Sequence, residues 1–193
     1  MIKNISLVLL SIFVFSTSFT QTHRNSVLIK TDIYEIKYSE VLESPLYVKY
    51  TVLCTDGSAS RAGLNFYTIP NIHTTDDLDY VNNIYDKGHM APAADFNCTP
   101  EMLYLTFSYV NCALQDQALN RITWRLLEAK ERDYARTNTV SVEIKVNVDK
   151  KCPKLPSGAY IPKGFYKTIY IKETNQVLKY YMPNTKPVYS DPE

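Results

Sequence analysis

Five β-branched residues, Val140, Val142, Ile144, Val146 and Val148, alternate strictly with polar neighbours. A period of two means a strand with one buried face, and no helix can present that pattern. Residues 44–54 (SPLYVKYTVLC) alternate in the same way at Leu46, Val48, Tyr50 and Val52. Gly164 precedes a strand-like stretch over 165–172, and 176–182 returns as its partner. Between these segments, over about 115–136, the period changes. Ala118, Ile122, Leu126 and Ala129 recur at helical spacing and predict an apolar stripe, with Arg121, Arg125, Glu128 and Arg132 on the opposite side. Residues 102–110 (MLYLTFSYV) and 66–69 predict two further strands, and the polar run 71–84 a surface loop or short helix. The order strand, strand, long helix, strand, strand gives an α+β class.

At 193 residues the chain is most simply one domain. The first twenty residues have the form of an export signal: Lys3 supplies the positive start, ISLVLLSIFVF over 5–15 the apolar stretch, and Ser16, Thr17 and Ser18 the small residues before a cut near 18–21. The expected organisation is therefore a signal peptide at 1–20 and one domain at 21–193, secreted or periplasmic and free of the membrane once the signal is removed. A retained N-terminal anchor is the alternative. Four cysteines in an exported chain suit up to two disulfides. Three pairings are open. Cys98 with Cys112 is the expected one, because both flank the strand predicted at 102–110; buried free thiols are the alternative. Removing residues 1–20 takes away Lys3 and no acid, which leaves basic and acidic side chains balanced. Any attraction for a polyanion must then come from local clustering of Arg61, Lys87, Arg121, Arg125 and Arg132.

The chain has three histidines, and only His89 sits in a structured setting, Tyr85-Asp86-Lys87-Gly88-His89-Met90-Ala91-Pro92. An imidazole with an ordinary pKa near about 6.5 is suited to accepting a proton close to neutrality. This run resembles the D-R-G-H signature of the DNA/RNA non-specific endonucleases, in the ββα-metal (His-Me finger) superfamily. Asn111 and Gln115 in NCALQ resemble that family's S-N-x-x-P-Q segment. LNRITWRLLE over 119–128 is similar to its L-N-x-x-x-W-x-x-L-E, and IPKGFYK over 161–167 to its I-P-x-x-F-Y-K. The similarity runs over about 38–184. Lys87 stands where the family usually has arginine, and Leu114 where proline is usual.

The resemblance implies a central antiparallel sheet with a ββα-metal motif, in which a strand and loop carrying His89 pack against a long helix carrying Asn120 and Glu128. It implies a Mg²⁺-dependent hydrolase (Mn²⁺ substituting) that cuts DNA and RNA without regard to sequence and leaves 5′-phosphate ends. His89 is then the general base, Asn120 the metal ligand, and Glu128 the holder of metal-bound waters. Arg61 steadies the scissile phosphate, and Lys87, Asn111 and Arg132 contact nucleic acid. Asp86 is structural, and Trp124 packs in the core. A nucleic-acid-binding protein with weakened catalysis on the same scaffold is the alternative. Bland roles remain open for single residues: a helix cap for Asn120, a surface pair with Arg132 for Glu128, and a solvated surface arginine for Arg61.

Overall fold

The computed structural model describes residues 22–185; the expected signal at 1–20, Pro187 and Pro192 lie outside the described residues. In chain order the strands are β1 (Val27–Lys30), β2 (Tyr34–Ser39), β3 (Ser44–Thr51), β4 (Tyr85–His89), β5 (Cys112–Asp116), β6 (Val140–Asn147), β7 (Gly164–Ile171) and β8 (Gln176–Pro183). Six of them form an antiparallel sheet in the order β1-β2-β3-β6-β7-β8, while β4 and β5 form a separate antiparallel pair. Two α-helices are described, α1 (Pro100–Thr106) and α2 (Arg125–Ala135), and a π-helical segment, Leu119–Trp124, leads into α2. Among the described residues no helix is long and apolar enough to cross a membrane.

The alternating segments form strands as their period requires. Val140, Val142, Ile144 and Val146 are buried along β6, and β7 turns Phe165, Ile169 and Ile171 to the same core. Each such side chain contributes about 1.5–3 kcal/mol on burial. The inner face of the sheet is covered by Trp124 and Leu127, with Trp124 edge-on to Phe165 at 5.4 Å. Trp124 is a core residue, as expected. Asn184, at the end of β8, ties the small strand pair to the main sheet. Its amide donates to the carbonyls of Leu114 and Pro162, both at 2.9 Å, and its Oδ1 accepts from Asp116 N–H at 2.8 Å.

Four expectations are corrected. Residues 100–106 are helix rather than strand, because Thr99 caps the Met102 amide and Pro100 takes the first helical position, where its missing N–H is harmless. Residues 66–69 make only an isolated bridge, between Tyr67 and Ser108. The helical stripe is displaced: Ile122 and Leu126 are exposed, while Leu119, Trp124, Leu127 and Glu131 are buried. The spacing of five between Leu119 and Trp124 is that of the π segment, which shifts the register on which the stripe was drawn. Last, the disulfide joins Cys54 to Cys98, with Cys112 and Cys152 buried as free thiols. Cys98, just before the helix at 100–106, meets Cys54 three residues past the end of β3, whereas Cys112 lies within β5, opposite His89.

Closing a loop of 44 residues removes about 4 kcal/mol of unfolded-chain entropy in the simplest account. Peptide mapping without reductant should recover Cys54 linked to Cys98 and alkylate Cys112 and Cys152 only after denaturation. The Cys54→Ser/Cys98→Ser variant should lose about 2–4 kcal/mol in urea unfolding.

Candidate active site

β4 and β5 run antiparallel with His89 opposite Cys112 and Gly88 opposite Ala113. Gly88 is required there: a Cβ on it would lie 2.3 Å from Gln115 Oε1 and 2.5 Å from Gln115 Cβ. The glycine of the histidine motif thus lets the two strands close over the buried Gln115. Beyond His89 the chain turns through Ala91, whose N–H and carbonyl are both bonded to the Asn111 side chain at 2.9 Å. The Asn111 amide also donates to the Thr106 carbonyl at 3.0 Å, and the residue is fully buried. Asn111 therefore presents no exposed surface to a nucleic acid in this structure. It holds the turn that places His89, a correction to the role the motif implied.

His89 packs between Phe66 and Phe107, ring centroids 5.2 and 5.3 Å away, and its Nε2 is buried with no hydrogen-bond partner among the described residues. Burial, reinforced by the nearby Arg61 charge and opposed by the Lys87 carbonyl, lowers its pKa to about 4. The imidazole is therefore neutral at physiological pH and can accept a proton. Asn120, in the π segment, is fixed by its amide donating to Asp86 Oδ2 at 2.9 Å, which leaves its Oδ1 free to face a cation. Asp86 also takes both arms of Arg121, at 2.8 and 2.7 Å. Asp86 is the hub that orients this end of the helix.

Two adjoining cavities, of about 560 and 440 Å³, are both lined by Arg61, His89, Asn120 and Arg121. Glu128, Arg125 and Arg132 line the second, and Lys87 the first. His89, Asn120, Glu128, Arg61, Lys87 and Arg132 thus share one cleft, and only Asn111 lies outside it. Asn120 lies in the π turn and Glu128 in α2, and both reach the second cavity. Burial and the neighbouring Glu131 raise the Glu128 pKa to about 7, against the pull of Lys167 and Arg132. Arg132 donates to Asp95 Oδ1 at 2.8 Å, and Asp95, buried beside Glu131, is held well above the usual carboxylate range. Arg61 and Arg125 have no carboxylate partner among the described residues, so they carry the free positive charge of the cleft.

A divalent cation fits the donors present. Among the described residues no group of three His, Cys, Asp or Glu side chains is arranged to hold a metal, which argues against a zinc-type cage. One oriented amide oxygen, a nearby carboxylate and open space for water are what Mg²⁺ favours. Two residues packed around His89, Phe66 and Phe107, gave no clear signal in the sequence. Arg125 was legible as one charge of a cluster; Asp95 follows the histidine run by three residues, but its pairing to Arg132 depends on the tertiary turn.

The two perturbed groups affect stability in opposite directions. His89 binds its proton more readily unfolded than folded, so its contribution falls as pH drops from about 6.5 to about 4. Glu128 holds its proton more tightly in the folded protein, so its contribution falls as pH rises from about 4.5 to about 7. Carbon-13 NMR of the Glu128 carboxyl in metal-free protein should titrate near pH 7, and saturating Mg²⁺ should move that midpoint down; an unmoved midpoint would place the cation elsewhere.

A sequence model of DNA/RNA non-specific endonucleases matches residues 13–191. Mitochondrial endonuclease G of Bos taurus is 30% identical over 84 residues, covering 42% of this chain and 28% of that protein. A nuclease of Syncephalastrum racemosum is 39% identical over 72 residues, 37% of this chain and 22% of its own length. Mitochondrial nuclease EXOG of Xenopus laevis is 33% identical over 85 residues, 42% of this chain and 24% of its own. These matches each span about a quarter of the relative's length. In a crystal structure of an EndoG/EndoGI complex, a chain superposes with a TM-score of 0.73 at 23% identity, covering 86% of this chain and 77% of that one, a likeness of fold.

Proposed function

The chain belongs to the DNA/RNA non-specific endonuclease family, and we propose that it is an exported enzyme that hydrolyses phosphodiester bonds of DNA and RNA with the help of one Mg²⁺. The observation that carries this reading is the convergence of a neutral imidazole, an oriented amide oxygen, a carboxylate and unpaired guanidinium groups on one cleft. The named relatives are nucleases, and the neighbouring structure holds an EndoG bound by an inhibitor.

His89 takes a proton from a water held against it, and the water oxygen attacks phosphorus opposite the 3′ oxygen. A base so positioned contributes about 10²–10⁴-fold. Breaking the bond to the 3′ oxygen leaves the phosphate on the 5′ side. Arg61, and Arg125 beside it, face the non-bridging oxygens, where a guanidinium fork matches phosphate geometry. Asn120 would hold Mg²⁺ through Oδ1, with Glu128 ordering its waters; bound there, the ion would neutralise charge on the phosphate and on the departing oxygen. Water is the nucleophile and no 2′-hydroxyl is needed, so both sugars are tolerated. Contacts to phosphate carry no sequence information, so cutting is sequence-independent. Because binding relies on phosphate, it weakens with salt.

Plasmid DNA and RNA should both be degraded with Mg²⁺ and spared with chelator. His89→Ala should fold normally, by circular dichroism and melting temperature, and lose at least about 10²-fold in turnover. Asn120→Ala should raise the Mg²⁺ concentration needed for half-maximal cutting. A His89→Ala protein as active as the parent would remove the base from this account, and a parent that binds plasmid without cutting it would favour a binding protein on the same scaffold. Cleavage should persist down to about pH 5 and fail as the imidazole protonates near its depressed pKa.

A further inference from the structure

Lys87 is the cation of the histidine motif and lines the cleft beside His89, yet it already has an anion. Its ammonium is ion-paired with Asp77, which also accepts from the Tyr109 hydroxyl. Phe66, Tyr80 and Tyr109 surround the ammonium, with ring centroids 4.9, 5.6 and 5.4 Å away. Aromatic faces attract a cation but leave its charge uncompensated. Asp77 is the one carboxylate on it among the described residues. The pair is asymmetric: the Lys87 side chain is 25% exposed and that of Asp77 78%. Asp77 therefore caps the lysine from the solvent side, at the first position of a single 3₁₀ turn, Asp77–Tyr80, in the polar segment expected to lie on the surface. Lys87 and then Tyr109 hold the Asp77 carboxyl below the usual carboxylate range, so it stays ionised at neutral pH. An exposed acid of this kind supports no buried charge whose loss would unfold the protein.

We propose that Asp77 sets how tightly the cleft holds nucleic acid, because its carboxylate occupies Lys87 in place of a backbone phosphate and the two anions exchange on the lysine. This rests on the reading of the chain as a nuclease. The residue type matters. A guanidinium offers separate edges to an aspartate and a phosphate, whereas an ammonium is a compact point charge for which the two compete. Binding substrate then requires release of Asp77, and its return helps expel a cleaved strand.

The test uses fluorescence anisotropy of a labelled single-stranded DNA oligonucleotide over a sodium chloride series, in a His89→Ala background that does not cut. Asp77→Asn removes the charge and keeps an acceptor for Tyr109. It should tighten binding by about threefold to fivefold at low salt, and should steepen the slope of log affinity against log salt by about 0.7 as Lys87 gains a phosphate. Adding Lys87→Met to Asp77→Asn should abolish both gains. Unchanged or weaker binding by Asp77→Asn, at an unchanged slope, would overturn the proposal and leave Asp77 as a brace for Lys87 and Tyr109. If the parent itself binds no oligonucleotide, the nuclease reading falls with it; if the parent binds and only the Asp77 response is flat, this inference falls alone.

Discussion

A lysine with no exposed surface sits in the core of this protein, and the placement of the cleft follows from how it is satisfied. Lys167 points from β7 towards α2, where it is ion-paired with the equally buried Glu131 and lies 4.3 Å over the Trp124 ring. The second Glu131 oxygen accepts from the Tyr50 hydroxyl at 2.7 Å, so β3 and β7 both anchor one residue of the helix. Removing one partner of such a pair strands the other as a buried charge, at a cost of about 3–5 kcal/mol. A purely apolar seam tolerates small rotations of a helix on a sheet. A buried ion pair, with the Tyr50 hydroxyl donating to the same carboxylate, fixes the rotation. Glu128 stands one turn before Glu131, so fixing Glu131 against the sheet fixes Glu128 towards the cleft.

The same network controls charge. Among the described residues, Asp95, Glu128 and Glu131 share two nearby cations, Lys167 and Arg132. Glu131 takes the lysine and Asp95 the arginine, and Glu128 is left nearest the solvent with its pKa raised to about 7. A carboxyl in that position gains most from a further cation. The Arg132–Asp95 contact also joins the helix to the turn that follows His89. The His89 side and the helix side of the cleft are therefore joined through one hydrogen-bonded contact.

Period-two segments were legible because a strand with one buried face leaves its alternation in the sequence; β3 and β6 fall where that pattern put them, and β7 and β8 where the strand-like stretch and its returning partner were expected. The motif blocks located His89, Asn120 and Glu128, and these do converge. What failed did so for identifiable reasons. Residues 102–110 read as a strand because apolar runs look alike in strand and helix, yet Thr99-Pro100-Glu101 carries a helix start that outweighs them. The π segment could not be read, since it shows only as a spacing of five between buried Leu119 and Trp124. The disulfide guess inherited the strand error. Asn111 was assigned to substrate because its motif borders the site, but an amide that can satisfy both backbone groups of Ala91 is drawn inward by them.

Balanced net charge posed the sharpest physical objection to a polyanion substrate, and the cleft resolves it locally. Five cations border the two cavities, but three are already held: Arg121 by Asp86, Arg132 by Asp95 and Lys87 by Asp77. These acids orient their partners and lower the long-range field, while Arg61 and Arg125 keep their charge unpaired among the described residues. A cleft whose cations were all free would bind a cut strand nearly as well as an intact one, and turnover would suffer from slow release. On the proposed reading, holding most of the positive charge in ion pairs would keep the geometry needed for a reacting phosphate without the affinity that would trap the product.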